Sequence, residues 1–423
     1  MAVASEPAQD LVIRDAALLD CTGSEPSGRV DVLVRQGRID WIGQAGSIGV
    51  DRSVIAVDAA GCTLMPGLTD AHVHFALLGP DGDHGDDPWI VHVLRVAAEI
   101  SDALDEGFTT VRDAGGLEPA WARAVMHGHT RGPRILPSGS VLSQTGGHGD
   151  VRPPHHAAGP GPSIPGLVAR HAIVDGVDAV REATREQLRR GATQIKILAS
   201  GGIVSPTDPF DSLQFSLQEI EAAVEVAADW HTYVHAHCHT SPAIERAIEA
   251  GVRCIEHASF LEPDTARRMA EQQVFMVPTL QALDMLAAHP ERWSLTPEKV
   301  AQLRSIADAA AESVRTASAA GVAIGSGSDV VGPWQGRRGE EIVLKARLLG
   351  AHEAIISATR TNAALFGLTN EIGTVEKGKA ADLILVEGEP LDDIELFADP
   401  ARVLMVIKGG AIAKDIQIRA KAN

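Results

Sequence analysis

The chain has 423 residues, 45% hydrophobic and 22% charged, a globular balance without a disorder signature and too long for one small core. Its 37 Lys and Arg stand against 56 Asp and Glu, a formal charge of −19 that argues against nucleic acid or an anionic membrane as partner. The N-terminus MAVASEPAQD has no basic start or apolar core, no apolar run is long enough to span a bilayer, and Cys21, Cys62, Cys238 and Cys254 lack CxxC spacing, so a cytoplasmic protein with reduced thiols is expected.

In chain order, residues 10–60 read as short β-rich pieces, at 11–13, 30–34 and 39–42, with Gly37-Arg38 as a hairpin turn. A matching set closes the chain at 382–386 and 403–407, before the turn Lys408-Gly409-Gly410. The economical reading is one small β-sandwich domain formed from both termini, residues 1–65 and 366–423; two separate small sheets are the alternative. Between them, residues 66–365 alternate short apolar strands with amphipathic helices, the mark of a parallel α/β domain.

Strands are expected at 63–70, 109–112, 134–139, 194–198, 233–237, 253–257, 274–278 and 322–327, the count of a closed (β/α)8 TIM barrel. A doubly wound open sheet is the alternative, but no GxGxxG follows an early strand. Helices are expected at 177–190 and at 217–230, the second behind Ser216 as N-cap with Glu219 at the capping-box position. The Gly-, Pro- and His-rich stretch 146–165 reads as a loop placed to act as a lid, and the run with Asp81, Asp83, Asp86 and Asp87 as a solvated loop.

Chemistry-bearing residues gather at the C-terminal ends of these strands, the face on which barrel enzymes build their sites. The first closes on His72-Val73-His74, and period-two alternation points both imidazoles the same way. Alone, that pair is either half a metal site or a polar strand end. The fourth places Lys196 among apolar residues, where an ammonium is costly unless it is paired or chemically altered. The fifth carries His235, His237 and His239 on one alternating face, the sixth ends at Glu256-His257, and the eighth ends in the small-residue turn Gly325-Ser326-Gly327-Ser328-Asp329.

The sequence resembles the amidohydrolase superfamily, in its binuclear-metal subtype with a carboxylated lysine. Within that subtype it is most similar to the branch of Xaa-Pro and N-acyl-amino-acid dipeptidases that also includes ochratoxin-hydrolysing amidases. The resemblance runs through PGLTDAHVH, the run 107–116 (GFTTVRDAGG), TGGHGD at 145–150, IKILASGGIVSPTDP at 195–209, IEHASF at 255–260, ATRTNAALFG at 358–367 and GTVEKGKAADLILVEGEPL at 373–391. It implies His72 and His74 on the more buried of two divalent metals, most readily zinc, with His237 and His257 on the more exposed one, Asp329 on the buried one, and a CO2-derived carbamate on Lys196 bridging both. In the family this resemblance points to, the spacing from that ligand to the sixth-strand histidine is typically 20, which selects His237 (257 − 237 = 20) and implies His239 toward the substrate; His235, one pleat deeper, reads as packed core.

The activity so implied is hydrolysis of an amide bond in a dipeptide or N-acyl amino acid with a free carboxylate, ochratoxin-like amides included, by a hydroxide shared between the metals. Asp329 would carry the proton, His148 of TGGHGD would bind substrate and stabilise the oxyanion, and His239 would take the carboxylate. A homo-oligomeric enzyme acting on a small molecule is expected. The alternatives are a mononuclear-metal deaminase, a cyclic amide, lactone or carbamate hydrolase on the same barrel, and a non-enzymatic scaffold. The turn GSGSD departs from the more usual GTD, Arg337 and Arg338 read as solvated loop residues, and His155 and His156 receive no role.

Overall fold

The computed structural model describes residues 9–23, 27–79, 88–152, 171–203, 205, 208–293 and 295–416. The acidic stretch Asp81 to Asp87, His155, His156 and residues 153–165 of the expected lid lie outside the described residues.

Strands from the two ends of the chain share one eight-stranded sheet. Leu11–Leu18, Ser27–Arg35, Arg38–Gln44, Ile55–Asp58 and Cys62–Pro66 come from the start, and Leu383–Glu387, Val403–Lys408 and Ala411–Asp415 from the end. The join is the antiparallel pairing of Cys62–Pro66 with Leu383–Glu387, Leu64 opposite Leu385. Period-two alternation sends neighbouring residues to opposite faces. Leu64, Leu383, Leu385 and Met405 therefore enter the sheet's own core with Ile13 and Val32, while Met65, Ile384, Val386 and Val406 pack with Val96, Ile100 and Leu104 of the helix Trp89–Asp105. The first hairpin turns at Gln36-Gly37 rather than Gly37-Arg38, both residues having positive φ (50° and 78°), which matches the twist of the flanking strands, and Arg38 already opens the next strand.

The expected first barrel strand is divided. Cys62–Pro66 belongs to the terminal sheet and Leu68–Val73 to a parallel one, with Gly67 at the crossing, where a Cβ would collide with the Thr109 side chain. Leu68–Val73, Phe108–Asp113 and Arg134–Pro137 form a three-stranded parallel sheet. Leu142–Ser143, Ala172–Ile173, Ile195–Leu198, Val234–Thr240, Cys254–Phe260 and Phe275–Val277 form a six-stranded one. The strands at 142–143 and 172–173 are two residues each, too short to show any periodicity in the sequence.

The expected eighth strand appears as a single bridge, Ile324 to Met276, yet its backbone reaches both sheets. The N–H of Gly325 donates to the Met276 carbonyl at 2.8 Å, while the Ala71 N–H donates to the Ser326 carbonyl at 2.7 Å and the Asp329 N–H to that of His72 at 2.8 Å. The helices Val177–Arg190 and Leu217–Asp229 fall where expected, and Ser216 and Glu219 make the capping box. No described helix is long and apolar enough to cross a membrane. All four cysteines are buried free thiols.

The two loop arginines part company. Arg337 is exposed and pairs with Glu340 at 2.6 Å, but Arg338 is not solvated: it is 1% exposed, bound to Glu106, with its guanidinium 5.2 Å from the Phe75 ring. The helical turn Gly332–Arg337 folds it inward against the end of the helix Trp89–Asp105, where the buried carboxylate attracts it. Replacing Arg338 with Met leaves Glu106 as an uncompensated buried charge, expected to cost about 3–5 kcal/mol. A thermal midpoint within a degree or two of wild type would show the pair to be dispensable.

Candidate metal centre

Two histidines, two positions apart on the strand Leu68–Val73 and just past it, bring their Nε2 atoms within 3.2 Å of each other. The ligand atoms of His72, His74 and Asp329 all lie within 4.8 Å of one another, Asp329 Oδ1 being 3.5 Å from His72 Nε2 and 3.4 Å from His74 Nε2. Asp329 comes this close because Gly327 has no side chain: a Cβ there would stand 2.6 Å from both His72 Cβ and Val277 Cγ1.

Each Nδ1 faces an oxygen that can only accept, His72 toward Glu256 Oε2 at 2.6 Å and His74 toward the Gly115 carbonyl at 2.7 Å. The ring hydrogens therefore point away from the centre, and the two Nε2 lone pairs face each other beside a carboxylate. Three acceptors at this separation repel one another unless something positive lies between them. The donor set fits a divalent cation, and imidazole with carboxylate suits zinc, manganese or cobalt.

His237 and His257 form a second group alongside, ring centroids 4.5 Å apart, with His257 5.2 Å from the His72 ring and its Nδ1 3.9 Å from Asp329 Oδ2. His237 Nε2 donates to the Gly201 carbonyl at 3.1 Å, which leaves Nδ1 as its ligating atom. His257 Nδ1 meets the Thr279 hydroxyl at 2.6 Å. His257, Ala258, Thr279 and Asp329 all have positive φ, between 48° and 71°. Non-glycine residues held there are strained, and such strain gathers at functional sites.

Lys196 is buried in its strand, level with His235 on the next one. Burial lowers its pKa, with Glu256 and Asp329 opposing the shift. Burial likewise pushes the Asp329 carboxyl up to about 7, Lys196 opposing and Glu256 and Asp70 adding; a nearby cation acts the other way. Burial lowers the pKa of His72, His74, His148, His237, His239 and His257, His74 and His148 to about 4 and His239 to about 3.

His148 stacks on His237, centroids 4.5 Å apart, and turns Nδ1 to the Ser205 hydroxyl at 2.9 Å, with Asp208 at 3.8 Å. Gly202 leaves room for this ring, since a Cβ would overlap it. His239 lies between His257 (5.0 Å) and Phe210 (4.6 Å), its Nδ1 on Ser259 Oγ at 2.9 Å. His235 is fully buried between Ser138 and Glu256, beneath the site rather than in it. All six residues implied as ligands thus lie in one neighbourhood. Sequence reading gave no role to Glu256, Arg112, Asp113 or Thr279. The first two are charged residues inside apolar strands, the same signal that singled out Lys196.

Residues 63–413 match the amidohydrolase family. The chain belongs to that family. It is 34% identical to an ochratoxinase of Aspergillus niger over 377 residues, 83% of this chain and 75% of the relative. Among solved structures, a prolidase complexed with N-methylphosphonate-L-proline superposes with a TM-score of 0.90 at 38% identity, covering 96% of this chain and all (100%) of the other. A Xaa-Pro dipeptidase with methionine bound in its active site gives 0.85 at 29% identity, covering 95% and 99%. The fold shared with these neighbours is the TIM barrel, and this amidohydrolase is a metal-binding hydrolase of C–N bonds.

The close approach at Gly327 yields a specific expectation. Gly327→Ala should push His72 off its position, lowering both metal occupancy and thermal midpoint, at a cost of about 1–3 kcal/mol for overpacking. Gly336→Ala, where a Cβ meets nothing within 4 Å, is the control and should change neither. Unaltered metal content in Gly327→Ala would mean that His72 is not held by this contact.

Proposed function

We propose that this amidohydrolase cleaves the amide bond of a dipeptide or N-acyl amino acid with a free α-carboxylate, using two divalent cations, most readily zinc. The observation that carries the reading is the convergence of His72 Nε2, His74 Nε2 and Asp329 with their hydrogens turned outward. In this reading residues 66–365 close into a (β/α)8 barrel, and the terminal strands, 1–65 and 366–423, form the accessory β-sandwich. His72, His74 and Asp329 would hold one cation and His237 and His257 the other, with Lys196, as a carbamate, supplying oxygen ligands that an ammonium lacks. Burial of Lys196 favours the neutral amine, the form that adds to CO2.

Once bound, the cations would polarise the scissile carbonyl and make hydroxide available near neutral pH. Asp329 takes the proton of the attacking water and passes it to the leaving amine. His148 presents Nε2 to the developing oxyanion, since Nδ1 is engaged by Ser205, a contribution of about 3 kcal/mol for a single donor. His239 offers Nε2 to the substrate carboxylate, Nδ1 being on Ser259. The compounds bound in two relatives, N-methylphosphonate-L-proline and methionine, are both amino-acid compounds, which supports this substrate class. Similarity to ochratoxinase extends it to ochratoxin-like amides. The acidic charge and reduced thiols suit an enzyme of the cytoplasm working on a small molecule.

Elemental analysis is expected to return two metals per chain. About one would favour a deaminase, and none after metal-supplemented purification a scaffold. Lys196→Ala should lose both metals and nearly all turnover, and short carboxylic acids in excess should restore part of it by standing in for the bridge. A fully active Lys196→Ala enzyme would remove the two-metal assignment.

Substrate recognition has its own test. Amidating the free carboxylate should lower kcat/KM by the equivalent of about 2–4 kcal/mol through lost charge-assisted hydrogen bonds. His239→Ala should narrow the gap between acid and amide while leaving metal content intact. Equal cleavage of both forms by wild type would turn attention to a lactone, carbamate or cyclic amide.

A further inference from the structure

The run 107–116 supports the family assignment, yet two of its residues, Arg112 and Asp113, have no part in the chemistry above. We propose that Glu256, held by Arg112, and Asp113, acting through Gly115, are positioning residues that decide which ring nitrogen His72 and His74 turn toward the metal centre. The proposal rests on the metal-dependent reading given above.

Glu256 and Arg112 are both completely buried, their side chains 0% exposed. Arg112 Nη2 donates to Glu256 Oε1 at 2.6 Å, and Arg112 Nε donates to the Ala71 carbonyl, one residue before His72, also at 2.6 Å. Oε1 further accepts from His235 Nδ1 at 3.0 Å and Cys254 Sγ at 3.1 Å. Oε2 is given to His72 Nδ1. The Arg112 guanidinium, which stays charged, pairs with this fully buried carboxyl at 2.6 Å, and that pairing requires Glu256 to be the carboxylate. An ionised carboxylate has no hydrogen to donate, so the hydrogen must sit on His72 Nδ1 and the lone pair on Nε2.

The next residue along the strand treats His74 in the same way, one step removed. Asp113 Oδ2 accepts the N–H of Phe75, which follows His74, at 3.2 Å. Its Oδ1 accepts the N–H groups of Gly115 at 3.0 Å and Leu117 at 3.3 Å. Gly115 is thereby fixed at φ 133°, against Val141, with its carbonyl on His74 Nδ1. Consecutive residues of one strand point to opposite faces. Arg112 therefore reaches His72 by way of the Glu256 side chain, while Asp113, on the other face, reaches His74 only through the Phe75 and Gly115 backbone, and both ligands come out in the same tautomer.

The direct test uses the metal-free wild-type chain with 15N-labelled histidine, the His72 and His74 signals being assigned from His72→Gln and His74→Gln. Long-range nitrogen–proton correlations should show both rings with hydrogen on Nδ1. Hydrogen on Nε2 of either ring would overturn the proposal whether or not the protein binds metal, whereas absence of metal from the wild type would overturn only the hydrolytic reading. Glu256→Gln should then weaken zinc binding, read by chelator competition, by about 10- to 100-fold and give His72 a mixed tautomer. Asp113→Asn should do the same to His74, and provides a second variant if buried Arg112 without its carboxylate fails to fold. Variants that lower the melting temperature of the metal-free chain but keep the tautomer and zinc affinity of wild type would make these residues structural supports only, and the proposal wrong.

Discussion

A carboxylate with no access to water survives only if donors surround it, and Glu256 is that carboxylate. Arg112, His235, Cys254 and His72 converge on its two oxygens from the strands Leu68–Val73, Phe108–Asp113, Val234–Thr240 and Cys254–Phe260. Charge buried in this manner is a poor source of stability, because desolvation offsets much of the attraction. Its value is geometric. All four donors depend on this one carboxylate, so four strands are held in register directly beneath the histidines that reach for a metal.

The same logic extends upward. Each histidine of the centre has one nitrogen committed to a fixed partner: Glu256, the Gly115 carbonyl, the Gly201 carbonyl or the Thr279 hydroxyl. The other nitrogen is free for chemistry. Strain at His257, Thr279 and Asp329, where φ is positive without glycine, is sustained by the packed strands behind them. Small residues complete the arrangement, Gly327 for the approach of Asp329 and Gly202 for His148. The site is thus assembled from fixed hydrogen bonds and deliberate gaps.

Much of this was legible in the sequence, and the pattern of what was not is instructive. Lys196 and the paired histidines stand out because charged or ligating residues interrupt apolar strands at their C-terminal ends. Glu256 and Arg112 do the same, but the adjacent His257 and the neighbouring glycine-rich turn draw the eye to ligands and loops instead. Arg338 misled for another reason: nothing local distinguishes an arginine that faces solvent from one that faces Glu106, 232 residues away in the chain. Strands of two residues, at 142–143 and 172–173, carry no periodicity at all. Contacts between distant segments decide all of these, and a linear pattern does not contain them.

The pairing of Cys62–Pro66 with Leu383–Glu387 has a bearing on how the molecule is made. Leu64 meets Leu385 only after the 320 residues between them have been synthesised, and the strand carrying His72 and His74 begins just two residues beyond Pro66. On the ribosome, the first segment made must wait with an apolar edge unpaired until nearly the last segment emerges. Loop closure of that length delays folding, and an exposed strand edge invites association with other chains. Nascent chains of this protein are therefore candidates for chaperone capture during translation, and a chain cut short before residue 383 would lack the partner that anchors its metal-binding strand.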